Sequence, residues 1–245
     1  MGHDGQPLGK AWLVGCGPGS LDHLTLKAVR LIRAADVIMY DDLGAEAAVK
    51  EFAPETAERV YVGKRGGQKS IVQTEINDLL VTYCRQGKQV VRLKGGCPSV
   101  FSRCSGELHA LAAAGFPAEL VPGVSSALAA PLFAGFPLTD AQLGRSFAVT
   151  SGHQPEATDW AAFAQIDTLV VLMAGKNLDV LMRLLQTAGW DFDRPVAVVR
   201  AAGQPDQEIW KGTVSTIAEQ TEGAGPLSPC VLIIGSVVSL SGEPS

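Results

Sequence analysis

Apolar and polar positions along the chain fall into blocks of two kinds. Short, nearly continuous apolar runs give way to stretches in which apolar residues return every three or four positions. The runs KAWLVG, DVIMY, RVYVG, KQVVRLKGG and AELVPG predict five strands before residue 124. Helical spacing fills the intervals, at about 20–35, between DVIMY and RVYVG, at about 72–85 and in SGELHALAAAG. In the third of these helices Ile76, Leu79, Leu80 and Tyr83 share one face, as packing on a sheet requires. Gly87 and Gly115 then close the third and fourth helices, because glycine tolerates the left-handed turn that ends a helix.

A second series follows. A helix of small residues at about 124–134 and the turn FPLTD lead into RSFAVTSG, DTLVVLMAG, a helix at 177–188, RPVAVVRAAG and PCVLIIGSVV. Strands this uniformly apolar are expected to be covered on both faces, with room for short antiparallel pairs. The expectation is an α/β fold of two α/β domains, 8–122 and 123–241. Ligands of such folds sit where loops converge at strand carboxyl ends, so an interdomain ligand cleft is expected.

Composition narrows the class. With 47% hydrophobic and 18% charged residues in 245, the chain can build a core and is not a disordered one. Its longest apolar runs, LVVLMAG and VLIIG, fall far short of the ~20 residues of a membrane span. The start MGHDGQPLGK lacks a basic stretch followed by an apolar one, so a cytoplasmic protein without membrane contact is expected. Five cysteines, Cys16, Cys84, Cys97, Cys104 and Cys230, cannot all pair and form no C-x-x-C, which predicts reduced thiols and no metal site.

The net charge of −5 speaks against general nucleic-acid binding, yet it is unevenly spread. Residues 59–103 hold nine Lys and Arg against Glu75 and Asp78, a local +7 that leaves −12 elsewhere. Such a field steers an anionic ligand into one region. On residue counting alone, a solvated helix face and strand ends are the preferred account of the same residues.

Four segments carry candidate chemistry. GCGPGS at 15–20 stands between a strand and a helix, with Asp41 or Asp42 after the next strand, as in a dinucleotide fold. Pro18 has no N–H to offer a phosphate and the third glycine is missing, so the loop reads as a tight turn capped by Ser20 or Thr25. GKRGGQKS at 63–70 is a cationic lip with Lys64, Arg65 and Lys69. In RLKGGCPSVFSR, Gly95 and Gly96 allow close approach to backbone, with Phe101 as a wall and Arg103 as an anion contact. PGVSSALAAPLFAGFPLT sets Ser125 and Ser126 at a helix start, where capping alone would justify them.

In their order, VGCGPGSLDHLTLKA, ADVIMYDDL, VGKRGGQKSIVQTEIN, VVRLKGG, VPGVSSALAAPLFAGFPLT, VTSGH, TLVVLMAGKNL, PVAVVRAAG and PCVLIIG resemble the tetrapyrrole methylases over nearly the whole chain. Within that family the match is to the free-standing enzymes acting on uroporphyrinogen III. The resemblance implies a homodimeric enzyme that binds S-adenosyl-L-methionine in the cleft and methylates two pyrrole carbons of uroporphyrinogen III. The products would be precorrin-2, at the head of the sirohaem and cobalamin branch, and S-adenosylhomocysteine. It further implies donor contacts from Pro18, Gly95, Gly96, Cys97, Val100, Ser125, Ser126, Met173 and Gly203. Asp41 and Lys64 take acid/base positions, and Arg103 stands against the substrate. The many carboxylates of that substrate would match the basic segment.

The chain departs from the family pattern at a few positions. It reads GGCP for the usual GGDP, FSRCSGE for FGRGGEE, LTDA for LTHR and GPGS for GPGD. Cys97, Gly106 and Ala141 thus stand where charged groups are usual. Two alternatives stay open: a homologue that binds the donor or a tetrapyrrole without turnover, and a methyltransferase for a later corrinoid intermediate.

Overall fold

In the computed structural model, which describes residues 8–41, 45–63 and 71–240, the first apolar run forms strand β1 (Lys10–Gly15). The chain divides into two units, Met1–Ser125 and Ser126–Ser245. In the first unit β2 (Val37–Tyr40), β3 (Glu58–Tyr61), β4 (Gln89–Lys94) and β5 (Ala118–Val121) join β1 in one sheet of order β3-β2-β4-β1-β5. Every pair is parallel, with Gly15 beside Lys94, Leu13 beside Leu120 and Val37 beside Val90. Parallel pairing needs crossovers, and α1 (Leu26–Arg33), α2 (Ala45–Phe52), α3 (Gln73–Arg85) and α4 (Cys104–Ala113) supply them.

The strand alternation decides which helices cover which face. Val14, Ile38, Val91 and Leu93 point to one side, where Ala28 and Ile32 of α1 and Ala45, Ala48 and Val49 of α2 pack on them. Ala11, Val37, Met39 and Val90 point to the other, against Ile76, Leu80, Val81 and Cys84 of α3 and Leu111 of α4. Each large apolar side chain buried here contributes about 1.5–3 kcal/mol. The helix expected from about residue 20 begins later. Ser20 caps a 3-10 turn, Leu21–His23, and Thr25 then accepts the Ala28 N–H at 3.1 Å to start α1. Two hydroxyl caps five residues apart each end one stretch and open the next.

The second unit opens with α5 (Ser126–Phe133) and holds β6 (Phe147–Ser151), β7 (Thr168–Leu172), α6 (Leu178–Thr187), β8 (Pro195–Arg200), β9 (Glu208–Thr213), the short α7 (Ile217–Gln220) and β10 (Cys230–Gly235). Its sheet has the order β6-β7-β10-β8-β9, and only β6 and β7 are parallel. Strand β9 was not foreseen. Of its six residues only Ile209 and Trp210 are large and apolar, and at the edge of the sheet it needs no second apolar face. The run PCVLIIGSVV ceases to be a strand at Gly235, whose φ is +154°. A Cβ at Gly235 would meet the Asp167 carbonyl at 2.5 Å, and Ser236–Leu240 turn into a 3-10 helix that keeps Val237 and Val238 buried. Two tryptophans pin the α6 side, the Trp160 indole donating to the Pro155 carbonyl at 2.7 Å and the Trp190 indole to that of Trp160 at 2.9 Å. Among the described residues no helix is long and apolar enough to cross a membrane.

Candidate functional site

Because β1 to β5 are parallel, their carboxyl ends lie on one edge of the first sheet. There β1 and β4 are neighbours whose following helices cover opposite faces, the arrangement that opens a ligand crevice in α/β folds. At this point three glycines pack backbone to backbone. A Cβ on Gly15 would lie 2.6 Å from the Gly96 carbonyl oxygen and 2.7 Å from the Gly123 nitrogen. One on Gly123 would lie 2.4 Å from the same oxygen. Gly17 and Gly96 exchange backbone hydrogen bonds at 3.2 and 2.8 Å, both at positive φ. The Gly96 carbonyl is thus packed against the backbones of Gly15 and Gly123, and Pro18 follows directly on Gly17 at partial exposure.

Cys97 leaves this floor in a turn closed by Val100 N–H donating to its carbonyl at 3.1 Å. Burial pushes its thiol pKa up, but hydrogen bonds from the Ser99 side chain and from the backbones of Gly123 and Ser99 more than offset this and hold it below the ordinary value. Cys104 donates to the Pro98 carbonyl at 3.0 Å, so the second thiol braces the same turn. Phe101 and Arg103 are both exposed and both in the left-handed region, at φ 45° and 57°. Strain of this kind persists where the surroundings dictate the backbone, commonly at functional positions.

Beneath the glycines the structure holds charges the sequence did not reveal. Arg92 and Lys94 are each 4% exposed, and Glu107 of α4 is fully buried between them. Glu107 accepts from Lys94 Nζ at 2.6 Å, from Arg92 Nε at 3.3 Å and from Gln73 at 3.4 Å. Arg92 also donates to the Leu93 carbonyl at 2.6 Å and, through Nη2, to Asp41 at 3.0 Å. Burial lowers the Lys94 pKa, with the Glu107 charge acting against it. Burial, reinforced by the Asp41 charge, pushes the Cys16 thiol up to about 12. Two of the nine cations counted as a surface field are therefore spent inside the unit. The alternation in β4 was the available signal, since a strand covered on both faces sends Arg92 and Lys94 to the same side as buried Val90. Lys64, with Arg65 and Lys69, lies outside the described residues, as does Asp42.

Ser125, buried, ends the first unit, and Ser126 opens α5 in the second. In that unit Met173 follows β7 at φ 60°, with 45% of its surface exposed. Ala201 follows β8 at φ 47°, and two residues on Gly203, at φ 76°, donates its N–H to Gln207 at 2.8 Å. Strands β7 and β8 both run antiparallel to β10 between them, so Met173 and Gly203 belong to the same edge of the second sheet. Asp140, by contrast, accepts the N–H groups of Gln142 and Leu143 and is occupied as a turn cap.

Residues 10–218 match the family described as tetrapyrrole (corrin/porphyrin) methylases. The chain is 45% identical to a uroporphyrinogen-III C-methyltransferase of Synechococcus elongatus, across 95% of both chains. It is 40% identical to an S-adenosyl-L-methionine-dependent uroporphyrinogen III methyltransferase of Methanosarcina barkeri, over 95% of this chain and 93% of that one. Among solved structures it is similar to a uroporphyrin-III C-methyl transferase from Thermus thermophilus complexed with S-adenyl homocysteine. The TM-score is 0.81 at 38% identity, over 94% of this chain and 99% of that one.

Proposed function

The chain belongs to the tetrapyrrole (corrin/porphyrin) methylase family, and from that premise we propose that it methylates two pyrrole carbons of uroporphyrinogen III with S-adenosyl-L-methionine. The products are precorrin-2 and S-adenosylhomocysteine. The observation that carries this reading is the 45% identity to a uroporphyrinogen-III C-methyltransferase sustained over 95% of both chains.

The loops at the strand ends fit the donor. Gly15 and Gly123 pack on the Gly96 carbonyl with no room for a Cβ between them, and the backbone of these loops with the half-buried Cys97 is what they offer a ligand that is itself cationic. When bound, S-adenosyl-L-methionine supplies a sulfonium methyl group open to in-line attack by an electron-rich carbon. The protein's part is alignment and exclusion of water. In this reading the donor contacts are Pro18, Gly95, Gly96, Cys97, Val100, Ser125, Ser126, Met173 and Gly203. Arg103 pairs with a substrate carboxylate. The attacked ring carbon already bears a side chain and becomes quaternary, so the compensating proton leaves from elsewhere on the macrocycle; Asp41 accepts it, with Lys64 as its acid/base counterpart. The reading includes a homodimer, tested by light scattering for twice the 25.7 kDa chain mass. It also includes a cytoplasmic setting, which the five cysteines standing as thiols support.

The deciding experiment is anaerobic incubation with methyl-labelled S-adenosyl-L-methionine and freshly prepared uroporphyrinogen III. Two labels per tetrapyrrole with matching release of S-adenosylhomocysteine are expected. No transfer, with donor binding intact by calorimetry, overturns the reading.

A further inference from the structure

We propose that Arg92 is a positioning residue, which through Glu107 and Lys94 fixes the Asp41 carboxylate at the carboxyl edge of the first sheet. The inference deepens the proposed function and rests on it for the role of Asp41. Three observations lead to it. Burying ionised groups is costly unless they are mutually paired, and here Arg92, Lys94 and Glu107 are all nearly or fully buried. Two cations against one carboxylate leave a surplus positive charge, and among the described residues Asp41 is the carboxylate that balances it. Finally, the guanidinium is committed in three directions, to Glu107 on α4, to the Leu93 carbonyl of its own strand and to Asp41 after β2. A planar fork held at two points has its third point fixed, so the placement of Asp41 is set from beneath the site.

The same arrangement ties Asp41 to the donor floor. The carbonyl of Lys94 accepts the Cys16 N–H at 2.9 Å and the Cys16 thiol at 3.1 Å, so one strand end carries the buried charges on its side chains and the first loop on its backbone. Glu107 also lies one helical turn beyond Arg103, the start of α4. The cluster thereby registers the proposed proton acceptor, the glycine floor and the substrate-facing arginine against one another.

The test is a double-mutant cycle on the full chain. Arg92→Lys keeps the charge and loses the fork. In the labelled-methyl assay kcat is expected to fall on the order of ten- to a hundred-fold, the rate equivalent of one charge-assisted hydrogen bond. Donor Kd by calorimetry should hold within about twofold, and in an Asp41→Asn background the same change should move kcat by less than about twofold. Equal losses in both backgrounds, or a parallel loss of donor affinity, overturn the proposal. Arg92→Gln leaves Lys94 and Glu107 paired with each other and takes the place of Arg92→Lys if that variant does not fold, with the same pattern expected. A wild type that transfers no methyl group overturns the functional reading alone. The four proteins are then compared by thermal denaturation, where non-additive shifts uphold the Arg92 and Asp41 pair and additive ones dismiss it.

Discussion

Gly123 stands so close to Gly15 that a Cβ on Gly123 would fall 2.7 Å from the Gly15 carbonyl carbon, and one on Gly15 2.7 Å from the Gly123 nitrogen. The obstacles are backbone atoms that cannot swing aside. Gly123→Ala is therefore expected to cost about 1–3 kcal/mol of stability, as overpacking does, and to weaken donor binding by pushing β1 and β4 apart. Urea unfolding and calorimetry read the two effects. Gly115→Ala has open space around it, so only the strain of φ +78° opposes it and donor binding should be untouched.

Gly106 offers the opposite sign. It lies inside α4, the nearest atom to a Cβ there is Asn77 Nδ2 at 3.8 Å, and a helix interior disfavours glycine. Gly106→Ala should raise stability by about 0.5–1 kcal/mol. A lower urea midpoint would mean that this glycine serves a packing need the structure does not contain.

Met173 and Arg103 divide binding from turnover. Met173 is half-exposed at the end of β7, so removing its thioether disturbs little core. Met173→Ala is expected to raise donor Kd roughly tenfold, the worth of one well-packed thioether contact, with the melting temperature nearly unchanged. Arg103→Ala should leave donor Kd alone and lower turnover. An equal loss of donor affinity in both variants would refute this division.

How far the sequence foretold this architecture depends on what each residue had to face. The five parallel strands were legible because two covered faces demand continuous apolar runs, as in KAWLVG and DVIMY. Strand β9 was not, because Glu208, Lys211 and Thr213 at a sheet edge give no such run. In β10 the apolar run outlasts the strand, since Val237 and Val238 are buried by a turn as well as they would be by a ladder. At the site the glycines bring backbone against backbone, Gly15 and Gly123 meeting the Gly96 carbonyl, a packing partner that the sequence alone did not name. Arg92 and Lys94 misled, because a cation in a chain reads as surface until its carboxylate is found. Glu107 lies on another element thirteen and fifteen residues away.

Cys16 gives a pH dependence of known sign. Its thiol ionises near 9.0 when unfolded, while burial, then the Asp41 charge, push it up to about 12 in the folded chain. The folded state keeps a proton that the unfolded state releases. Stability is thus unaffected below pH 9 and falls as pH rises from there towards 12, by up to about 1.4 kcal/mol per pH unit from this group. Cys16→Ala should flatten that decline in urea titrations between pH 9 and 11. An unchanged slope would show that other groups, such as the buried Cys84 and the partly buried Cys230, carry the whole effect.

Cys97 is set apart from those thiols by the same physics acting in reverse. Thiolate is the reactive form, and its population at neutral pH depends on what stabilises the anion. Burial raises Cys16, Cys84 and Cys230, and hydrogen-bond donors bring Cys97 below its ordinary value despite the opposing effect of burial. Unlike Cys16 and Cys84, Cys97 is also only partly buried. Iodoacetamide at pH 7.5 should therefore modify Cys97 well ahead of those three, as peptide mass spectrometry would record. Because Cys97 stands on the proposed donor floor, saturating S-adenosyl-L-methionine should slow its alkylation in proportion to the fraction of sites left unfilled, about a hundredfold at a hundred times Kd. Protection that fails to follow donor concentration would remove Cys97 from the donor contacts while leaving its reactivity as a property of the Cys97–Val100 turn.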